Sequence, residues 1–232
     1  MWSGPRNLST ALMRSFSSRA DCAVVDEPFY GAYLDLTGID HPMRDETLAS
    51  METNPGIVAD GLRGPVPGGK AVYYQKHMTH HMIAGVPRDW AHGMREVFLI
   101  RHPARVMASY AEERAGAALE DLGFVQQAEI FAGCADPIVV DSDDILRDPA
   151  GTLSALCNAI GIDWDPAMLS WPKGPHPADG VWGAHWYNSI WASEGFAPYA
   201  PRPLPDVADH VGYEQALALY EQLRAQRLMG DK

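Results

Sequence analysis

The sequence has few cysteines and no long apolar run, and each shortage excludes a class of protein. Cys22, Cys134 and Cys157 are far apart and odd in number, so they form neither a disulfide framework nor a zinc motif. No stretch reaches the roughly 20 apolar residues that a membrane-spanning helix needs. The first residues also lack the basic and apolar regions of a secretory signal. We therefore expect a cytoplasmic protein that does not act in a membrane.

Positive charge is also scarce. The chain has 18 Lys and Arg against 30 Asp and Glu, and its net charge is −12. This balance argues against general binding to nucleic acid or to anionic membranes, because both need a positive surface. A few converging Arg and Lys side chains would still bind an anionic nucleotide. The length of 232 residues fits one domain over 1–232.

Short apolar runs alternate with longer helical patterns, which predicts an α/β fold with a central parallel sheet of about four to five strands. The strands are predicted at 22–26, 71–75, 96–100 and 137–140, which are rich in β-branched or aromatic residues. Helices are predicted at about 8–19, 103–115, 120–133, 149–160 and 206–228.

Two regions are predicted to be irregular. Residues 37–70 are rich in Gly and Pro, with room for a helix near 45–53, and residues 171–205 are dense in Pro, Gly, Trp and His. Loops of this length inside a compact domain usually serve as lids or binding loops.

The first motif is a turn that enters the first predicted helix. It comprises Ser3, Gly4, Pro5, Arg6, Asn7, Leu8, Ser9 and Thr10. Backbone N–H groups at a helix start bind anions, Arg6 supplies a charged fork, and the Ser9 and Thr10 hydroxyls can donate to phosphate. The alternative is an ordinary N-cap by Asn7 or Ser9. Only two residues precede Ser3, so the strand before this turn is either very short or starts before the assigned chain start.

The second motif follows strand 96–100. Arg101 lies at the carboxyl end of that strand, where open parallel sheets bind ligands, and Pro103 starts the next helix. Ser109, two turns further on, can face the same side as Arg101, so the two predict a clamp for a second phosphate. Alternatively, Arg101 caps a neighbouring helix or pairs with a carboxylate.

Together these motifs resemble those of the sulfotransferases. Residues 6–10 are similar to the Lys-Ser-Gly-Thr-Thr loop of that family, with Arg6 for Lys and Leu8 for Gly, and residues 101–109 match its Arg-x-Pro-x-x-x-x-x-Ser segment. Residues 141–149 look like the family's Tyr-Glu-Asp-Leu…Asp-Pro segment, which we interpret as structural, with Asp148 or a neighbour capping the next helix.

The resemblance implies a P-loop NTPase-like three-layer fold and the donor 3′-phosphoadenylyl sulfate, with no metal required. It implies that the donor's phosphosulfate binds residues 4–10, that Arg6 also stabilises the leaving phosphate, and that the 3′-phosphate binds Arg101 and Ser109. Lys173, Gly174 and Trp182 resemble, at a longer spacing, the family loop that closes over the 3′-phosphate.

The catalytic base has two candidates. Lys76 and His77 follow strand 71–75 and resemble the family's Lys-Thr-His-Leu segment, which implies His77 as base and Lys76 as a donor to the sulfuryl oxygens. A surface histidine cluster is the alternative. Glu27 follows strand 22–26, and some sulfotransferases use a glutamate as base; the alternative is a salt bridge to Arg6 or Arg14.

These features predict a sulfotransferase that acts on a small hydroxyl or amine acceptor and releases adenosine 3′,5′-bisphosphate. The first alternative is a nucleotide-binding module without catalysis. The second, less favoured by the motifs, is an ATP-dependent small-molecule kinase. Trp182, His185, Trp186 and Tyr187 either line an acceptor pocket, stack on adenine or pack a Pro-rich loop. Exposed Trp and Tyr side chains in 171–199 are compatible with a homodimer contact.

Overall fold

The computed structural model describes residues 1–111 and 119–229, and these residues form a parallel five-stranded sheet. The strands are β1 (Trp2–Ser3), β2 (Cys22–Asp26), β3 (Val72–Met78), β4 (Val97–Ile100) and β5 (Ile138–Asp141). Their order is β2-β3-β1-β4-β5, and each neighbouring pair is parallel. The predicted α/β class and number of strands are confirmed.

The shortest strand lies at the centre of the sheet. Trp2 of β1 pairs with His77 of β3 on one side and with Phe98 of β4 on the other. The chain therefore leaves the middle of the sheet at Ser3, at the point where the strand order reverses. Such switch points, outside the carboxyl ends of the strands, are where open α/β sheets bind ligands.

Helices cover both faces of the sheet. They are α1 (Ser9–Ser17), α2 (Tyr30–Thr37), α3 (Arg44–Ser50), α4 (Pro55–Leu62), α5 (Pro103–Ala111), α6 (Phe124–Gly133), α7 (Ser142–Arg147), α8 (Pro149–Ile160), α9 (Gly183–Trp186), α10 (Asn188–Trp191) and α11 (Tyr213–Arg224). Single 3₁₀ turns occupy Pro67–Gly69, Thr79–His81, Asp89–Ala91, Glu120–Leu122 and Pro166–Leu169.

The alternation of side chains along the strands divides the core into two halves. Phe98 and Val139 pack with Trp2 on one face of the sheet, whereas Leu99 and Val140 pack on the other face against α1 and α8. Because both faces are apolar and covered, the fold has three layers, as predicted. In the described part of the chain, no helix is both long and apolar enough to cross a bilayer.

Several predicted bounds change for local reasons. The helix predicted at 206–228 starts only at Tyr213, because Gly212 before it takes a left-handed φ of 85°. The one predicted at 120–133 is split in the same way by Gly123 (φ 71°). The helix predicted at 103–115 is seen as far as Ala111, and the rest of that prediction lies outside the described residues.

The two regions predicted to be irregular contain helices. Region 37–70 holds α3 and α4, and α4 begins where the Asn54 side chain accepts hydrogen bonds from the N–H groups of Gly56 and Ile57. Region 171–205 contains the short helices α9 and α10. The rest of this region is irregular, as predicted.

Candidate active site

A cleft of about 260 Å³ opens at the carboxyl ends of the central strands. The turn after β1 forms one wall, from Pro5 to Ala11, and the ends of β2, β3 and β4 contribute Glu27, Lys76 and Arg101. Residues of α9 and α10 lie on its opposite side. The topology therefore brings both predicted phosphate motifs and both predicted strand-end groups to one place.

The turn after β1 has a backbone suited to anions. Arg6 (φ 62°) and Leu8 (φ 74°) are both left-handed although neither is glycine. Left-handed residues beside right-handed ones make concave groups of backbone N–H donors that bind anions. Gly4 is needed because a Cβ there would lie 2.6 Å from the carbonyl oxygen of Leu122. This backbone fits the phosphosulfate site expected at residues 4–10.

The start of α1 leaves donors free for a ligand. Leu8 occupies the N-cap position, and no side chain in the described residues makes a capping hydrogen bond there. The Asn7 amide instead donates to the carbonyl of Leu99, 3.3 Å away. The ordinary N-cap by Asn7 or Ser9 is therefore not what the structure contains. The first N–H groups of α1 need acceptors from elsewhere.

Arg101 and Ser109 of the second motif both form hydrogen bonds with Arg6 of the turn after β1. Arg101 Nη1 donates to the Arg6 carbonyl over 2.6 Å, and Arg6 Nε donates to Ser109 Oγ over 3.0 Å. All three residues line the cleft. Burial lowers the pKa of the Arg101 guanidinium below its ordinary value, because a buried cation without a close anion is disfavoured. Within the described chain, Arg101 forms no ion pair, so a bound phosphate would supply the missing counter-charge.

Lys76 is the centre of a buried hydrogen-bond network. Its Nζ donates to Asp26 Oδ1 (2.8 Å), to Glu27 Oε1 (2.7 Å) and to the Tyr187 hydroxyl (2.8 Å). The Tyr187 hydroxyl in turn donates to Asp26 Oδ2 at 2.7 Å. An ammonium has three N–H donors, and all three are engaged here. Lys76 thus fixes Glu27 in place but has no donor left for a sulfuryl oxygen, which alters its predicted role.

The network holds two carboxylates for one cation. Burial opposes the charge on Lys76, but Asp26 and Glu27 outweigh burial and hold its pKa well above the ordinary value. For Glu27 the balance is reversed, since burial raises the pKa of its carboxyl group against the opposing effect of Lys76. A raised pKa brings the Glu27 carboxyl group closer to the range in which a general base works.

The structure places His77 away from the cleft. Strand β3 continues to Met78, and since side chains alternate along a strand, Lys76 and Met78 face the cleft while His77 faces the other side. There its ring contacts Trp2 and Trp90, at 4.9 and 4.7 Å between ring centroids. With the family's Lys aligned on Lys76, the position of the family's His is Met78, which cannot accept a proton. This position does not favour His77 as the base.

Of the three residues predicted to close over the 3′-phosphate, Lys173, Gly174 and Trp182, only Trp182 lines the cleft. Trp182 lines it, and its Nε1 donates to the Tyr187 hydroxyl over 3.1 Å. Lys173 is instead 60% exposed and pairs with Glu194. The Gly174 carbonyl accepts from Arg14. Neither residue lines the cleft, so the expected contact of Lys173 and Gly174 with the donor is not supported.

Sequence reasoning missed the contact that ties this segment to the sheet. Arg14 of α1 pairs with Asp179 over 2.6 Å, and both side chains are at most 4% exposed. Asp179 also accepts from Trp191 Nε1 at 2.9 Å. The two charges lie 165 residues apart in the chain, and no local pattern links them. Residues 171–195 are held over the cleft by this pair and by Tyr187.

Comparison with known proteins identifies the family to which the chain belongs. Residues 1–227 match the family model described as a sulfotransferase domain. Two Arabidopsis thaliana proteins, branched-chain-amino-acid aminotransferase-like proteins 1 and 2, are 38% and 36% identical to the chain over 97% and 96% of its length. The chain spans only 41% and 40% of those two proteins, so their name describes much longer molecules.

Two solved structures share the fold. The sulfotransferase domain of the olefin synthase from Synechococcus PCC 7002 superposes with a TM-score of 0.58 at 17% identity, covering 98% of this chain and 94% of its own. The sulfotransferase domain from the curacin biosynthetic pathway gives 0.51 at 13% identity, covering 99% and 91%. The three-layer architecture is therefore that of known sulfotransferase domains.

Proposed function

Since the chain belongs to the sulfotransferase domain family, we propose that it moves a sulfuryl group from 3′-phosphoadenylyl sulfate to a hydroxyl or amine of a small acceptor. The observation that supports this most is the junction of Arg6, Arg101 and Ser109 beside the buried Glu27 carboxylate in one cleft. One part of the cleft suits two phosphate groups, and the other suits proton transfer.

The donor would be held by two sets of groups. The backbone N–H donors of residues 4–10 and the Ser9 and Thr10 hydroxyls would take the phosphosulfate. Arg101 and Ser109 would take the 3′-phosphate, and Trp182 would contact the nucleotide from the other wall. The Arg101–Arg6 hydrogen bond couples the two sites, because the side chain that would bind one phosphate also fixes the backbone that would bind the other.

The transfer needs no covalent intermediate. The acceptor atom forms a bond to sulfur as the bond from sulfur to the phosphate oxygen breaks, and adenosine 3′,5′-bisphosphate leaves. Glu27 takes the proton of the acceptor, and Lys76 holds Glu27 in position. Arg6 stabilises the negative charge that gathers on the leaving phosphate, a type of stabilisation that lowers barriers most in water-poor sites.

The donor assignment is tested by calorimetry with adenosine 3′,5′-bisphosphate and with adenosine 5′-monophosphate, which lacks the 3′-phosphate. We expect the bisphosphate to bind at least tenfold more tightly. Arg101→Ala should weaken bisphosphate binding by about 10- to 100-fold, the usual value of a charge-assisted hydrogen bond, and should abolish most of the preference. Arg95→Ala is the matched control, since Arg95 is 61% exposed and pairs with Asp136 away from the cleft.

Three results would count against the proposal. The first is a folded protein that does not bind the bisphosphate. The second is tighter binding of ATP in the presence of Mg²⁺, which would favour a kinase. The third is bisphosphate binding with no sulfuryl transfer to a panel of alcohols, phenols and amines, and with no effect of Glu27→Ala, which would favour a nucleotide-binding module.

A further inference from the structure

One imidazole in the cleft has no hydrogen-bond partner among the described residues. His81, in the 3₁₀ turn after β3, is 1% exposed and lines the cleft. Neither of its ring nitrogens has a hydrogen-bond partner among the described residues. Buried polar atoms are nearly always satisfied, so two unsatisfied nitrogens on a residue that lines the cleft point to a ligand group.

The orientation of this ring is fixed by its neighbours. The His81 ring stacks on Tyr30 and on Tyr33, with ring centroids 4.9 and 4.8 Å away and interplanar angles of 3° and 27°. The Tyr30 hydroxyl is in turn bonded to His41 Nδ1 at 2.6 Å. Because the ring is held by its faces, only its edge, which carries the nitrogens, is available to a ligand.

His81 lies next to the proposed base. Its Nε2 is 4.0 Å from Glu27 Oε2, and the other oxygen of Glu27 accepts from Lys76. Burial, together with the nearby His80, His41 and Lys76, holds the pKa of His81 well below its ordinary value, so the ring is neutral and offers one N–H donor and one bare nitrogen. The cleft therefore presents an acceptor from Glu27 and a donor from His81 side by side.

Resting on the proposed function, we propose that His81 and Glu27 together bind the acceptor atom, and that this atom is the oxygen of an uncharged hydroxyl compound rather than a nitrogen. A hydroxyl donates its proton to Glu27, accepts the N–H of His81 with one lone pair, and attacks sulfur with the other. An uncharged amine has a single lone pair, so it cannot accept from His81 and attack at once.

The rest of the pocket agrees with an uncharged acceptor. Its lining includes the aromatic and apolar side chains of Tyr30, Trp182, Trp186 and Ile190. Tyr30 meets Trp182 edge to face, with centroids 5.1 Å apart. Among the described residues, Lys76 also lines the cleft, and its three donors are already engaged, so it offers no free N–H to a carboxylate or phosphate on the acceptor. Aromatic surfaces of this kind pack well against small aromatic or apolar alcohols.

The test compares two isosteric probes that are both uncharged at neutral pH, 4-methylphenol and 4-methylaniline, with 3′-phosphoadenylyl sulfate as donor. For the unmodified protein we expect kcat/KM for the phenol to exceed that for the aniline at least tenfold. His81→Phe keeps the stacked ring but removes both nitrogens. It should lower kcat/KM for the phenol tenfold or more and bring the ratio of the two probes close to one, while His81→Gln, which retains an N–H, should restore part of the ratio.

The matched control is His77→Phe, a histidine just as buried but on the other side of the sheet, which should leave the ratio unchanged. Equal use of both probes, an unchanged ratio in His81→Phe, or bisphosphate binding with no transfer to either probe would each overturn the assignment of the acceptor. Binding of adenosine 3′,5′-bisphosphate separates the two proposals. If it binds with equal affinity to all variants, the donor site stands whatever the probes show, and if it does not bind at all, the proposed function itself fails.

Discussion

Backbone strain is concentrated at the cleft. Arg6, Leu8 and Glu27 have positive φ values of 62°, 74° and 45°, and all three line the cleft. Each such residue costs about 1–3 kcal/mol and persists only where the surroundings impose it. At Glu27 the surroundings are the hydrogen bonds from Lys76 and the backbone bond from the Glu27 N–H to the Lys76 carbonyl at 3.0 Å. These contacts therefore hold the Glu27 carboxylate at the strand end in advance of any ligand.

Removal of this carboxylate should abolish catalysis and leave binding intact. We expect Glu27→Gln to lower kcat by about 10²–10⁴-fold, the usual contribution of a general base. The dissociation constant of adenosine 3′,5′-bisphosphate should stay within about twofold, since Glu27 does not contact the phosphate motifs. Steady-state kinetics with the best acceptor and calorimetry measure the two quantities.

The pH dependence of kcat/KM provides a second test of Glu27 as the base. A base must be deprotonated, and burial raises the pKa of Glu27 above its ordinary 4.5. In the unmodified enzyme kcat/KM should thus fall as the pH drops through this raised pKa, with the acid limb above pH 4.5. The residual activity of Glu27→Gln should lack this limb. An acid limb that persists in the variant would assign the base to another residue.

At the scale of elements, the sequence predicted the bounds of helices and strands where neighbouring residues determine them. The helix predicted at 149–160 is α8 (Pro149–Ile160), because Asp148 caps it and Pro149 begins it. Strand β2 (Cys22–Asp26) was predicted to the residue from its apolar run. The same signals, Asn54 and Pro55, also stand before α4 but were hidden in a region whose glycines and prolines suggested a loop.

The site residues that directly follow predicted strands could be placed from the sequence. The contacts between residues far apart in the sequence could not. The motifs around Arg6 and Arg101 converge because both follow central parallel strands, as their sequence positions indicate. The choice between Lys76 and His77 depended on whether β3 ends at 75 or at 78, and element ends are the least certain part of a sequence prediction. The bond from Lys76 to Tyr187 spans 111 residues, and nothing local in the sequence points to it.

The segment over the cleft should depend on its buried ion pair with α1. Asp179→Asn leaves Arg14 buried beside an uncharged amide, and loss of one partner of a buried pair costs about 3–5 kcal/mol. Hydrogen exchange should show faster exchange of amides in α9 and α10, with the strand amides unchanged. Glu194→Gln is the control in the same segment, because its pair with Lys173 is exposed and is worth about 1 kcal/mol or less. Equal protection in both variants would show that the pair does not hold the segment.

At the scale of the whole molecule, buried neutral histidines make the stability sensitive to acid. His77, His80 and His81 are each at most 9% exposed, and burial lowers the pKa of each, in the case of His80 to about 3. In the unfolded chain a histidine binds a proton below about pH 6.5. Since the unfolded state then binds more protons than the folded one, the free energy of unfolding falls as the pH drops below 6.5. Glu27 and Asp141, whose raised pKa values favour the protonated folded state, act in the opposite direction.

A comparison of variants isolates the contribution of one histidine from these opposing effects. Between pH 6.5 and 4.5, His80 should account for a loss of about 2–3 kcal/mol in the free energy of unfolding, at about 1.4 kcal/mol per pH unit. His80→Phe keeps an aromatic ring against Tyr33, which the His80 ring contacts edge to face at 5.5 Å, and should remove that loss. Urea unfolding at the two pH values measures the difference within each protein, so a lower overall stability of the variant does not affect the result. An equal loss in His80→Phe would mean that His80 takes up its proton without unfolding.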